Sequence, residues 1–190
     1  MRQRGVAGLV PLEVLIIDAP PYANARVAHG WSLPEGFGIR YVRQRSGRKG
    51  AALNLGVSLA HADLLLFLDA DIVLPPTVLA SALAMRDSAG EWDILSALRR
   101  HEVMGLDVFS EPIIKWWKFP GPWFCLMEKR TLLDLGGWSD GFVEDTDMWI
   151  RVRRRGLRVG FVPRRVISKR PVRSQLRKSW HTLVAVLRTG

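Results

Sequence analysis

Two aspartates one residue apart close an uninterrupted apolar run: Leu64, Leu65, Leu66, Phe67 and Leu68 lead to Asp69, Ala70 and Asp71. Such a run is the pattern of a strand buried on both faces of a parallel sheet. If the extended geometry persists past Leu68, the twofold period of a strand puts Asp69 and Asp71 on the same side. Two carboxylates there hold Mg²⁺ or Mn²⁺ through hard oxygen ligands and leave positions open for diphosphate oxygens. The competing reading is a cap or turn ahead of the helix that follows.

Two further segments carry candidate chemistry. In Ser46-Gly-Arg-Lys-Gly-Ala-Ala-Leu-Asn54, two glycines and the cations Arg48 and Lys49 precede a helix start. Free backbone amides and the helix dipole favour an anion at such a place. It is not a Walker loop, because no Lys-Ser/Thr pair follows the second glycine. An ordinary basic loop leading into a helix has the same composition. In Gly136-Gly-Trp-Ser-Asp-Gly-Phe-Val-Glu-Asp-Thr-Asp147, Glu144 and Asp145 stand where a loop enters a helix. Acids there stabilise the helix through capping and the macrodipole whatever else they do, and a capping carboxylate can also face a cleft. Trp116, Trp117 and Trp123 flank a Pro-Gly-Pro stretch. They suit an acceptor or interfacial surface, and they suit core packing equally well.

The elements that must position these residues alternate along the chain. Strands are expected over Leu12 to Ile17, Ile39 to Val42, Leu64 to Leu68, Ile94 to Leu98, Phe124 to Met127 and Val159 to Val162. Helices are expected from Gly50 to Ala60, from Pro75-Pro76 to about Met85, from Thr131 to Leu135 and from Asp145 to Arg155. The alternation predicts an α/β fold with a mostly parallel sheet flanked by helices, in which ligands collect at the carboxyl ends of the strands. Asp69 and Asp71 fall at such an end. A last amphipathic helix is expected over Ser174 to Leu187, with Trp180, Leu183, Val184 and Leu187 on one face. The chain divides into a catalytic-type domain over residues 1–170 and this basic helical segment over 171–190.

Composition bounds the partners. Lys and Arg number 28 against 18 Asp and Glu, a net charge of +10, which favours polyanionic partners such as nucleotide diphosphates, lipid phosphates or an anionic membrane surface. No acid occurs after Asp147, while Arg and Lys continue from Arg151 to Arg188. That one-sign quarter is either a solvated basic face or a surface for phosphate or membrane. The basic residues follow no stacking-platform or recognition-helix pattern, so nucleic acid is not an expected partner. Cys125, the only cysteine, lies in the apolar run Trp123 to Met127 and is expected to be a buried thiol. With no disulfide, no secretory signal and no run long enough to span a bilayer, the expected location is cytoplasmic, with peripheral contact at the inner face of the membrane as an extension.

The order and spacing of these segments resemble the family-two glycosyltransferases, inverting enzymes of the GT-A fold, over about Leu12 to Ser179. In that resemblance Leu12 to Asp18 is the second strand, whose end touches the nucleoside, so that Asp18 is a substrate-binding residue. The stretch Gly47 to Asn54 matches the "GKAAALN" helix start, which implies donor contacts from Arg48, Lys49 and Asn54. Asp69-Ala70-Asp71 matches the metal-binding "DxD", with Asp69 also touching the donor. Gly136-Gly137-Trp138 and Glu144-Asp145 match the "GGF…ED" segment, which implies a substrate contact at Trp138 and a catalytic base at Asp145 beside Glu144. The resemblance implies a metal-dependent transfer of a sugar from a nucleotide-diphosphate sugar to a hydroxyl on a glycan or lipid-linked acceptor. Departures are visible. The aspartate pair of the second strand is reduced to Asp18-Ala19, and Ser168 stands where the family often has a metal-contacting histidine. Gln175 to Trp180 only loosely matches a "QxxRW" motif. No first strand with its "PxYN"-like turn precedes Leu12, and Met1 to Val10 look like the tail of the helix after it, so the fold is expected to be N-terminally incomplete. A non-catalytic remnant that binds or scaffolds is the alternative. With that strand missing, Leu12 to Ile17 and Leu64 to Leu68 are expected to pair directly, bringing Asp18 towards Asp69.

Overall fold

The computed structural model describes residues 12–18, 37–45, 48–89, 92–101, 123–141 and 144–169. The expectations for Met1 to Val10, Trp116, Trp117 and the helix from Ser174 lie outside the described residues. Strand β1 (Leu12–Asp18) runs parallel to β2 (Phe37–Arg43), from Leu12 opposite Phe37 to Asp18 opposite Arg43. Helix α1 (Lys49–Leu59) leads to β3 (Leu64–Phe67) and the short β4 (Ile72–Val73). Then come α2 (Val78–Ala89), β5 (Ile94–His101), β6 (Cys125–Glu128), α3 (Lys129–Asp134), α4 (Glu144–Arg154) and β7 (Val159–Ser168).

The α/β class is as expected, but the main sheet is mixed. Its order is β3-β6-β5-β7-β4, with β6 antiparallel to both β3 and β5, β7 parallel to β5, and β4 antiparallel to β7. Strand β4 follows β3 after only residues 68–71 and pairs with β7 at the other end of the strand order. Helix α2 also starts later than the prolines suggest. The amide of Val78 closes a turn onto the carbonyl of Pro75, and Thr77, at φ +73°, takes the left-handed conformation before the helix begins.

The four longer strands of the main sheet divide their side chains between two cores, as a period of two requires. Leu65, Phe67, Ile94, Cys125, Met127 and Val159 share one core with residues of α1, α3 and α4. Leu95, Ala97, Phe124, Leu126, Val162 and Val166 share the other with Val78 and Ala82 of α2. Full burial of side chains the size of Ile94 or Phe124 stabilises by about 1.5–3 kcal/mol each. Cys125 is buried in the first core, and burial pushes its thiol up to about 12, the inert core cysteine its sequence neighbourhood suggests.

Strands β1 and β3 do not pair. Among the described residues, β1 bonds to β2 in a separate sheet, and β3 stands at one end of the larger one, bonded to β6. The two sheets are joined instead through α1. Its Gly56 brings the helix onto Ile17 of β1, and the next residue, Val57, belongs to the core of Leu65 and Phe67. A helix is about 10 Å across and strands are about 4.8 Å apart, so one helix can cover both edges without the strands meeting. Polar contacts tie the small sheet to the end of α1. Glu13 pairs with Arg40 at 2.8 Å and accepts the His61 amide at 3.1 Å, while Arg40 donates to the Leu59 carbonyl.

Candidate active site

Asp69 leaves the carboxyl end of β3 and meets two elements from elsewhere in the chain. Its Oδ1 lies 2.5 Å from Nζ of Lys49, the first residue of α1. The same ammonium lies 3.2 Å from Oε1 of Glu144, the first residue of α4. Both carboxylates are nearly sealed, with side chains 8% and 9% exposed, whereas Lys49 is 32% exposed. Burial opposes the Lys49 charge, but Asp69, and then Glu144 and Asp145, outweigh it and hold its pKa above the ordinary lysine value of 10.5. Asp145 is thus close enough for its charge to act on Lys49. Its Oδ1 accepts the Thr146 amide at 2.9 Å.

The extended geometry does not persist through Asp69-Ala70-Asp71. The chain turns, with the Ile72 amide bonded to the Asp69 carbonyl at 3.0 Å. The two aspartates therefore take different partners. Asp71 Oδ2 accepts the Ser168 hydroxyl at 2.7 Å, and its carbonyl accepts the Lys169 amide. Strand β4 holds this arrangement by pairing Ile72 with Ser168. Ser168, only 1% exposed, stands at the end of β7, which runs parallel to β3 through β5 and β6. The described residues contain no group of three or more His, Cys, Asp and Glu able to hold a metal. Two carboxylates in one turn still fit Mg²⁺ or Mn²⁺ of the kind that draws its remaining ligands from water and substrate phosphates.

Two of the amides at the start of α1 have a side-chain partner from far along the chain. Arg48, the residue before the helix, has no side-chain cap, and Asp140, 92 residues later, supplies one. Asp140 Oδ1 accepts the Arg48 amide at 3.1 Å and the Ala51 amide at 3.2 Å. Gly50 permits the approach, because a Cβ there would sit 1.8 Å from the Ser139 carbonyl oxygen. One turn on, the Asn54 side chain pairs with a backbone. Its Nδ2 donates to the Trp138 carbonyl at 2.7 Å and its Oδ1 accepts the Trp138 amide at 2.8 Å. Trp138 itself is 2% exposed, its ring set edge-on to Phe67 at 5.2 Å. Asn54 and Trp138 thus bind each other and tie α1 to residues 137–138. Lys49 lies against carboxylates, and the Arg48 side chain is exposed.

Arg151 completes the weld. It donates to the carbonyls of Leu135 at 2.5 Å and Gly137 at 2.7 Å, and it pairs with Asp147 at 2.6 Å. Gly136 and Gly137, at φ +87° and +75°, supply the left-handed turn that brings those carbonyls round. Asp140 and Arg151 were not legible as site-building residues, whereas Ser168 was marked only through the family resemblance, as the position of a metal-contacting histidine. Only the spacing of Asp147 and Arg151, one helical turn apart, hinted at a pair. Asp18, at the carboxyl end of β1, is 9% exposed and accepts the Tyr41 hydroxyl. That bond raises the Tyr41 pKa above 10.0. Trp123 is a core residue, donating to the Ala97 carbonyl at 2.8 Å beneath the Arg99 guanidinium. A cavity of about 210 Å³ lined by Leu64, Arg86, Trp92 and Glu128 lies at the amino end of β3, away from Asp69.

Known proteins resemble this chain in sequence and in fold. The family model described as glycosyl transferase family 2 matches residues 10–131. No curated protein matches the chain. Among solved structures, the chain is similar to the mannosyltransferase PcManGT from Pyrobaculum calidifontis in complex with GDP-Man and Mn²⁺. Identity is 14% and the TM-score 0.66, over 95% of this chain and 65% of that one. It is similar to glucosyl-3-phosphoglycerate synthase from Mycobacterium tuberculosis in complex with Mn²⁺, UDP-Glc and phosphoglyceric acid, at 17% identity and a TM-score of 0.59, over 85% of this chain and 62% of that one. It is also similar to S. aureus TarS 1-349 in complex with UDP-GlcNAc, at 14% and 0.56, over 84% of this chain and 48% of that one. The chain thus spans less than two thirds of each, and at these identities the likeness is one of fold.

Proposed function

The chain belongs to glycosyl transferase family 2, and on that footing we propose that it moves a sugar from a nucleotide-diphosphate sugar to a hydroxyl of a glycan or lipid-linked acceptor, inverting the anomeric centre. The observation that carries this reading is the gathering of Asp69, Glu144 and Asp145 around Lys49 at the carboxyl end of β3. Complexes of similar structures with GDP-Man, UDP-Glc and UDP-GlcNAc support a donor of this class.

Asp145 is the base. The Thr146 amide on its Oδ1 orients the carboxylate that takes the acceptor's hydroxyl proton. Glu144, buried and paired with Lys49, fixes the first turn of α4 and so the direction in which Asp145 points. Asp18 faces the nucleoside, and Arg48 lends its exposed charge to the phosphates. Asp69 and Asp71 would hold Mg²⁺ or Mn²⁺, which when bound neutralises charge on the leaving diphosphate. The basic segment 171–190 gives peripheral contact with an anionic membrane on the cytoplasmic side; among the described residues no helix is long and apolar enough to cross one. Co-sedimentation with anionic but not neutral vesicles is the expected outcome, and equal binding to both removes the electrostatic contact.

A second reading, a non-catalytic binding or scaffolding unit, draws on the placement of β1 and β3 in separate sheets among the described residues. Mutation separates the two. Asp145→Asn should lower the rate of sugar transfer by about 10²- to 10⁴-fold while Mn²⁺-dependent nucleotide binding is kept. A wild-type chain that binds nucleotide sugars without consuming any of them, with any acceptor, favours the second reading.

A further inference from the structure

A lysine ammonium bonded to a carboxylate that is also a candidate metal ligand holds a contested oxygen. The Lys49 ammonium lies 2.5 Å from Asp69 and 3.2 Å from Glu144, and both carboxylates are almost sealed from solvent. Without a cation, two buried carboxylates at this separation from one point would repel each other and lose hydration at a large cost. The first turn of α1 cannot drift away, because Asp140, the close approach at Gly50 and Asn54 weld it to residues 138–140. The backbone of Lys49 is therefore fixed, but its side chain is a flexible four-carbon stem and is 32% exposed. It has a route outward that the carboxylates lack.

We infer that Lys49 is a built-in counter-cation, which holds Asp69 against divalent cations and is released towards solvent when one binds. This rests on the reading of Asp69 as a metal ligand. Its consequence is a metal site that stays folded and charge-compensated when empty, and that loads weakly because each incoming cation must take Asp69 Oδ1 from an ammonium. The residue is a positioning residue for the cation rather than a contact for the sugar.

Titration of the full chain with Mn²⁺ alone, followed by electron paramagnetic resonance of the free ion, tests this. Removing a positive charge from beside a ligand oxygen should tighten Mn²⁺ binding in Lys49→Met on the order of tenfold or more. Lys49→Arg, which keeps the charge, should stay near the wild type. Equal or weaker binding by Lys49→Met overturns the inference. Asp69→Asn identifies which reading has failed: if it binds Mn²⁺ as the wild type does, the metal site itself is wrong, and the inference falls with it. Lys49→Met leaves Asp69 and Glu144 without their ammonium and is the variant most exposed to misfolding, so a second measurement uses the wild type. Amine labelling of Lys49, read by mass spectrometry, should speed up several-fold when Mg²⁺ is added. A rate that does not change overturns the inference independently of any variant.

Discussion

Asp69 shows how far residue type and spacing carry an argument. Its place at the end of an apolar strand was legible, because a buried run has to end where the chain returns to water. The direction of Asp71 was not, because the turn that sends it to Ser168 depends on β4 pairing with β7, a contact between residues almost a hundred positions apart. Asp140 was invisible for the same reason: nothing local marks an aspartate that caps a helix 92 residues earlier in the chain. The Asp18–Tyr41 pair gives a prediction at this scale. The hydrogen bond to Asp18, with burial and the nearby carboxylate charge, keeps Tyr41 protonated above 10.0. The folded state favours neutral Tyr41, so the stability from this pair is present below the ordinary value and is lost as pH rises through the raised folded value. Titration of phenolate absorbance should show one tyrosine ionising late, and Asp18→Asn should move it back towards 10.0. A late tyrosine that Asp18→Asn leaves unmoved would contradict the pairing.

At the scale of elements, α1 is the part on which the site depends, and its two interior glycines should respond in opposite senses. Alanine is ordinarily the better helix former by about 0.8–1 kcal/mol. A Cβ at position 56 would meet Ile17 at 3.6 Å, an ordinary contact, so Gly56→Ala should stabilise by about 0.5–1 kcal/mol. A Cβ at position 50 would sit 1.8 Å from a backbone oxygen. Gly50→Ala should therefore destabilise by about 2–4 kcal/mol through forced backbone shifts. Asp140→Ala removes a cap and should cost about 1 kcal/mol. Denaturant unfolding of the three variants checks all these signs. Periodicity predicted the helix and its apolar side, but not its role as the joint between two sheets, because a helix's sequence does not record how many strands lie beneath it. Element order was likewise legible where sheet order was not: β6 reads as one more short strand, and only tertiary pairing makes it antiparallel to both neighbours.

For the whole molecule, the split sheet makes stability uneven. Among the described residues β1 has one bonded neighbour and of its residues only Asp18 is buried, whereas β5 lies between β6 and β7 with Ile94, Leu95 and Ala97 sealed. Amides of β1 and β2 should exchange with solvent well before those of β5 and β7, and uniform protection across both sheets would contradict a split of this kind. The acidic cluster at the end of β3 is proposed to bind a nucleotide-diphosphate sugar through a divalent cation. Thermal unfolding against a panel of nucleotide sugars, with and without Mn²⁺, measures it most directly, since a ligand bound only by the folded state raises Tm by mass action. At least one nucleotide sugar should raise Tm with Mn²⁺ present, do little without it, and lose its effect in Asp69→Asn. A panel in which no nucleotide sugar shifts Tm, or in which the shift is indifferent to both Mn²⁺ and Asp69, would contradict the account.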